Sequence, residues 1–443
     1  MGSQAIAAQN SGVAVATNNV ANVNTQGYSR ERVDLDALVG PPTEGGVKSG
    51  TPTRVASDLL STRIRASAGS LAASQTTSDG LADVEAQLAS GPSIGDQLGA
   101  VFAKLSQVSA APTDPTGRDA AVAALGSLAS TIRGQASTIA GATTDADKQV
   151  ATIVGQANTI ATQLAAANKA AQSGDPTAAD QRDQLATQLS QLVGGSARID
   201  ADGQMRFVLD GGAVLVDGTQ AAQLGATPDA TTGHTNVTFG SGASARDITS
   251  ELGGGQLGGT LATRSQLVGL AGQYDQYAYD LANGFNAASS ANAGLDGVTG
   301  RNTFTPPPTV AGAALSLAVD PALAADSSKL ATAAAGAGPG DNTGALALGA
   351  LASSKVASGN TSTLGDAGIG LLASLGSAAA GAKSNATADA AVDSHLGDLR
   401  DSLSGVDVTE EQANLAKFTS ASQALTKFVS TINDLLSTFI ENI

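Results

Sequence analysis

EEQANLAKFTSASQALTKFVSTINDLLSTFIENI, Glu410 to Ile443, is the most regular stretch of this 443-residue chain. Positions 415, 418, 422, 425, 429, 432, 436, 439 and 443 advance by alternating steps of three and four. They hold Leu415, Phe418, Ser422, Leu425, Val429, Ile432, Leu436, Phe439 and Ile443. That spacing sets them on one face of a helix about 50 Å long, with Ser422 the sole polar break. Phe428, Leu435 and Ile440 widen the stripe beyond what one partner helix covers. The helix is therefore expected to meet several neighbours, including an N-terminal helix and copies of itself. Terminal segments stay ordered only when something ties them down.

The N-terminus offers the first such partner. Ile6, Val13 and Val20 recur every seven residues, with Ala16 and Val23 filling the intervening positions. Asn18, Asn19, Asn22 and Asn24 follow within NNVANVNTQGYSRERV, Asn18–Val33. Asparagine favours caps and turns over helix interiors, so an amide-rich face at the end of a short helix points to a role other than helix stability. The spacing puts these amides on the helix's polar side. Gly27 reads as the stop signal, and Gly27-Tyr28 as the turn that leads the chain away.

Composition bounds the rest. Thirty-nine acidic residues against 23 basic ones give a net charge of −16, which argues against nucleic acid and anionic membranes. Without cysteine there are no disulfides or thiolate metal sites, and two His with no Trp leave few catalytic bases or aromatic anchors. No basic n-region and continuous apolar h-region open the chain, so export would use another route than a cleaved signal peptide. The run AGIGLLASLGSAAAGA, Ala367 to Ala382, is too short to span a bilayer and is expected to be a buried or loosely packed helix, not a membrane insertion.

Between the termini the pattern is helical first. Pro41, Pro42, Gly45, Gly46, Gly50 and Pro52 mark an extended connector. Long helices are expected from about Ala56. Their stripes pass through Leu81, Val84 and Leu88, then Leu98, Val101 and Leu105, then Leu125, Ile132 and Ile139, and on to Ile153 and Ile160. After a leucine-spaced helix ending at Gly194-Gly195, Met205, Phe207 and Leu209 alternate. The turn Asp210-Gly211-Gly212 and Ala213–Val216 complete a β-hairpin. Val237 and Phe239 suggest another strand. Helical spacing resumes at Leu261 and runs through Tyr274 and Tyr277 to Phe285. Low periodicity follows over 294–340, and weak helices over 341–400.

No constellation reads as an active site. Gly376-SAAA-Gly381-Ala-Lys383-Ser384 carries one residue too many for a phosphate loop and no strand precedes it. Asp200-Ala-Asp202-Gly203 lacks the glycine and glutamate of a calcium loop and reads as a β-turn. Asp180, Arg182 and Asp183 read as a solvated or interface-facing helix surface with local ion pairs. His234 and His395 read as ordinary surface histidines. No catalytic, metal or cofactor residue is expected.

Asn18-Asn-Val-Ala-Asn-Val-Asn-Thr-Gln-Gly-Tyr28 resembles the N-terminal signature of the bacterial flagellar axial proteins: rod, hook and hook-associated. Asp180-Gln-Arg-Asp-Gln-Leu185, the hairpin ending Val214-Leu-Val-Asp-Gly218, Gly254-Gly-Gln-Leu-Gly-Gly259 and Phe285-Asn286 narrow the resemblance. With Gly340-Asp-Asn342 and Ser404-Gly-Val-Asp-Val-Thr-Glu-Glu-Gln-Ala-Asn-Leu415, they make it to the flagellar hook-associated protein 1 family. The resemblance implies a structural protein of the hook–filament junction, secreted by the flagellar type III system and built into a layer through its terminal helices. Its implied partners are the hook protein, the second junction protein, copies of itself in a helical ring, and an export chaperone on the C-terminal helix. Hook or distal-rod protein is the nearest alternative, and a cell-wall hydrolase carried on axial termini a more distant one.

The expected fold is mainly α with a small β insertion, elongated, the terminal helices forming a coiled-coil-like inner domain beside a helical bundle with β-hairpins. The divisions are 1–40 for the N-terminal part of the inner core and 41–195 for the long-helix domain. A β-hairpin region takes 196–260, and a helical continuation with a reduced or absent outer β-domain takes 261–400. Residues 401–443 form the C-terminal core helix. The arm ahead of Asn18 reads as one or two helical turns shorter than the family's. The expected inner-core surface is Ile6, Val13, Asn18, Asn19, Val20, Asn22, Asn24, Gly27 and Tyr28 against Leu415, Phe418, Leu425, Val429, Ile432, Leu436, Phe439 and Ile443.

Overall fold

The computed structural model describes residues 2–25, 27–39, 45–172 and 174–442. Helix α1 (Gly2–Ala21) leads through a loop to β1 (Glu31–Arg32). A hairpin of β2 (Leu35–Val39) and β3 (Gly45–Ser49) follows, and β4 (Thr53–Arg54) returns antiparallel to β1. The extended connector expected here is thus largely a hairpin, with Ala37 opposite Val47; Pro41 and Pro42 lie outside the described residues. Gly45 and Gly46 sit within β3, where a residue without a side chain hides the alternation that marks a strand.

Four helices follow: α2 (Asp58–Ala89), α3 (Ile94–Ala110), α4 (Pro115–Ala171) and α5 (Pro176–Val193). Their starts are written locally. Asp114 and Asp175 cap α4 and α5, each followed by proline at the first helical position, where its missing N–H costs nothing. At 57 residues α4 is about 86 Å long and runs through both cores of the molecule. An antiparallel meander follows, β5 (Ser196–Ile199), β6 (Met205–Val208), β7 (Val214–Asp217) and β8 (Gln220–Ala221). Beside it β9 (Leu224–Pro228), β10 (Thr235–Phe239) and β11 (Arg246–Asp247) form a second sheet. Met205 and Phe207 turn inward and pack with Ile153, Ala157 and Leu164 of α4 and Leu189 of α5.

Helix α6 (Gly255–Ser290) runs back into the larger core, crossing α2 where Thr77 donates to the Gly259 carbonyl at 3.2 Å. Residues 292–363 hold only short pieces among the described residues: β12 (Asn292–Ala293), α7 (Ala313–Ser316), α8 (Pro321–Ala325), β13 (Ala333–Ala334), α9 (Thr343–Ala350), β14 (Lys355–Ala357) and β15 (Ser362–Thr363). The weak helices expected over 341–400 are mostly one 41-residue helix, α10 (Leu364–Ser404), lying along α2. Its buried stripe is Leu371, Leu375, Ala379, Ala382 and Ala386; alanine is as common on its exposed faces, so the period is faint in sequence. The last helix, α11 (Val408–Glu441), pairs with α1. The molecule is mainly α with a small β insertion.

Within the irregular 294–340 region, the 327–332 segment is tied down by one buried cation. Arg118, fully buried on α4, donates to the carbonyls of Pro112 (2.7 Å), Ser327 (3.1 Å), Ser328 (3.2 Å) and Leu330 (2.9 Å), and to the Thr332 hydroxyl. A planar guanidinium with five donors closes a loop that has no ladder of its own. Arg118→Ala would leave several buried carbonyls unpaired. It is expected to lower unfolding free energy by about 3 kcal/mol in a denaturant titration and to open 320–332 to protease. A loss below about 1 kcal/mol would contradict this assignment.

Candidate assembly site

Helices α1 and α11 run antiparallel, Gly2 facing Val429, Asn10 facing Ser422 and Gly12 facing Phe418. The Phe418 ring lies against Gly12 so closely that a methyl group there would overlap it. Ser422, the break in the apolar stripe, donates to Asn10 Oδ1 at 3.0 Å, so the polar gap is matched across the pair. Leu415, Phe418, Leu425 and Val429 are half-buried here, as are Ile6, Val13 and Val20. The fully buried positions of α1 are instead Ala8, Gly12, Val15, Ala16 and Asn19, because α1 also packs on β3 and β1. Past Val429 the stripe is open: Ile432 is 39% exposed, Leu436 53% and Phe439 65%. Ile443 lies outside the described residues.

The asparagines do not share one solvated face. Asn19 is buried, and its side-chain amide pairs both ways with the backbone of Glu31. Oδ1 accepts from Glu31 N–H (2.9 Å) and Nδ2 donates to the Glu31 carbonyl (2.8 Å). It thereby adds a strand-like pairing to β1 that no helix backbone could supply. The Tyr28 hydroxyl donates to the same Oδ1 (2.8 Å) and accepts from Asn18 (3.3 Å). Asn22 donates to Asn18, whereas Asn24 is exposed. Gly27, at φ +81°, sits in the left-handed region against the Gln184 side chain of α5, where another residue would meet both strain and overlap.

From this loop the chain meets a buried ion network. Arg54 on β4 bridges Asp180 and Asp183 of α5 at 2.7 Å each, and the Ser29 N–H donates to Asp180 Oδ2 at 3.2 Å. Asp180 and Arg182 are each 6% exposed, so of the solvated or interface-facing surface expected for them the solvated alternative does not hold. The partners of Asp180 arrive from β4 and the Ser29 loop, more than 100 residues away in sequence, whereas Arg182 donates to the Gly203 carbonyl of the β5–β6 turn at 3.0 Å. Burial raises the Asp180 carboxyl, with Arg54 and the Ser29 N–H opposing. Arg30 takes Glu410 of α11 in a two-bond fork (2.8 Å each) and stands 3.2 Å from Glu411, while its N–H donates to the Ser404 carbonyl. Asp407 caps α11, and the backbone N–H groups of Glu410 and Thr409 hold its carboxyl below the usual range. The asparagine motif, the Asp180–Leu185 motif and the Ser404–Leu415 motif, scattered over the chain, thus meet at one joint.

Residues 81–304, just over half of the chain, match the family model described as the flagellar hook-associated protein FlgK helical domain. The chain belongs to the FlgK family. It is 27% identical over 318 residues to flagellar hook-associated protein 1 of Escherichia coli (strain K12), covering 65% of this chain and 56% of that protein. To the Salmonella typhimurium protein of the same name it is 34% identical over 130 residues, covering 28% and 24%. It thus spans about half or less of the curated relatives. The solved structure of the flagellar hook junction protein FlgK from Burkholderia pseudomallei matches with a TM-score of 0.72 at 17% identity. It covers 77% of this chain and all of that one, and so supports the fold.

Within this FlgK-family joint, sequence reasoning missed Arg30, Glu31 and Arg54, isolated charges in short strands and loops, and Arg65 within α2, all with partners set by tertiary packing. His234 is likewise not a free surface histidine. Its Nδ1 lies 3.0 Å from Asp147, which also accepts from Arg264 (2.7 Å) and the Thr235 N–H (2.8 Å), tying α4 to β10 and α6. Among the described residues no group of three or more metal-ligating side chains occurs.

Two substitutions test the joint. Asn19→Ala strands the buried Glu31 N–H and C=O. It is expected to cost about 3 kcal/mol of unfolding free energy and to speed hydrogen exchange at the Glu31 amide, whereas unchanged exchange would contradict the clamp. Burial pushes the Glu31 carboxyl above its ordinary 4.5, with the Asn18 side chain opposing. The folded state then holds this proton more tightly than the unfolded chain. Its stabilisation is complete below 4.5 and lost as pH rises through the raised value. Glu31→Gln, which stays neutral, should therefore gain stability relative to wild type between pH 4 and pH 7 in denaturant titrations; an equal difference at both pH values would contradict this.

Proposed function

We propose that the chain is a non-enzymatic structural protein of the bacterial flagellum that forms the junction layer between hook and filament. It is exported by the flagellar type III system and assembled outside the cell through its terminal helices. The open stripe of α11 carries this reading. Ile432, Leu435, Leu436, Phe439 and Ile440 are exposed past Val429, which faces Gly2 of α1, and Phe428 is exposed beside it. Burying six such side chains is worth roughly 10 kcal/mol as an upper estimate, enough to order a terminal helix when neighbours arrive. Copies of the chain in a helical ring would cover much of this surface, with hook protein on one side and the second junction protein on the other. An export chaperone would hold the same face beforehand.

The region Leu364–Glu441 contains one window long and apolar enough to cross a membrane by length and composition. We assign its exposed part to protein contacts, since Lys417, Lys427, Asp434 and Glu441 punctuate α11. No nucleic acid or cofactor enters this reading.

Deleting the gene should leave cells with hooks that shed filament protein as monomer; cells without hooks would move the chain inward to hook or rod. Replacing Leu425, Val429 and Ile432 with Asp should abolish filaments while circular dichroism of the purified protein keeps the helical domain's melting transition. Normal filaments from that variant would contradict the inner-core assignment.

A further inference from the structure

A second buried arginine differs from Arg118 in one respect. Arg65 of α2 is only 3% exposed, yet its guanidinium is poorly partnered among the described residues. Nη2 reaches Thr62 Oγ1 and the Ala197 carbonyl at 3.4 Å, Nη1 stands 3.8 Å from Asp183, and Nε has no hydrogen-bond partner. Arg118 is saturated by carbonyls, and buried Arg182, whose Nε is also open, still donates to the Gly203 carbonyl at 3.0 Å; Arg65 makes no hydrogen bond shorter than 3.4 Å among the described residues. Buried polar groups left open in a native protein call for a missing partner.

Arg65 borders a cleft of about 320 Å³ between the Gly27–Ser29 loop, β4, α2, α5 and α10. Arg54 and Ser61 stand on its walls, and Arg400 of α10 at its rim. Asp183 supplies the sole carboxylate among the described lining residues: Arg54 engages its Oδ2 at 2.7 Å, and its Oδ1, without a hydrogen-bond partner, lies 3.8 Å from Arg65 Nη1. Arg400 is 45% exposed at its side chain and bonds Asp401 through Nε and Nη2. Burial lowers the Arg65 pKa from its ordinary value, as befits a cation short of counter-charge.

We propose that this cleft binds a small oxyanion, a carboxylate or a phosphate, on Arg65, with Arg400 closing over it. A planar guanidinium matches either geometry by paired N–H donors. The bound ion would tie α2, α5 and α10 to the loop that leaves α1, bracing the joint. Binding there would stand whether or not the chain sits at a flagellar junction.

Isothermal titration of the full-length monomer with sodium phosphate and, separately, sodium acetate tests this, with sodium chloride at matched ionic strength as control. Saturable one-site binding of either ion is expected, lost in Arg65→Met and weakened about threefold or more in Arg400→Ala. Arg400 lies on the surface, so its variant decides the matter should Arg65→Met fail to fold. No saturable heat beyond the chloride control, or a heat unchanged in the variants that fold, would overturn the site.

Discussion

Arg54 is the constraint on which the rest depends. One guanidinium on a two-residue strand holds both Asp180 and Asp183, so the segment returning from the terminal helix is bolted to the first turns of α5. Buried ion pairs contribute little net stability, because desolvation offsets the Coulomb gain, but breaking one side leaves a stranded charge. Their value here is directional. With the Asn19–Glu31 pairing and the Arg30–Glu410 fork, they allow one orientation of the α1–α11 pair on the helical domain. Charges sheltered from water are also less screened by salt than surface pairs.

Stability is divided accordingly. The helical domain owns two continuous cores in which Leu105, Leu125, Ile132, Ile139 and Ile153 are fully buried, and α4 runs through both. The terminal pair owns almost none: its contacts are half-buried, and the far third of α11 is exposed. A chain built this way keeps a folded body while the far end of α11 stays uncovered, which fits the proposed assembly through that helix.

Much of this was legible in the sequence where the local signal was dense. The leucine and isoleucine stripes of α2 to α5, the Met205–Phe207 alternation and the terminal heptads each carry their period in large side chains. Helix α10 was blurred because alanine marks both its buried and exposed faces, and the β2–β3 hairpin because glycines occupy a strand. The joint was half legible. Its motifs point to a family, and the spacing of Asp180, Arg182 and Asp183 allows a solvated or an interface-facing surface without choosing, since the partners of Asp180 are Arg54 and Ser29 and no local pattern encodes a contact across more than 100 residues. The asparagines were placed on a polar face for the same reason: nothing near Asn19 in sequence shows that it spends its amide on Glu31.

A joint of this kind should fix the terminal pair rigidly on the helical domain. The chain lacks cysteine, so spin labels at Lys169→Cys on α4 and Lys417→Cys on α11 can be introduced without removing native thiols. Their distance distribution by pulsed electron resonance should be a single narrow peak in the otherwise native chain and should broaden in an added Arg54→Ala background. A distribution already broad with Arg54 in place, or one that stays narrow without it, would contradict the account.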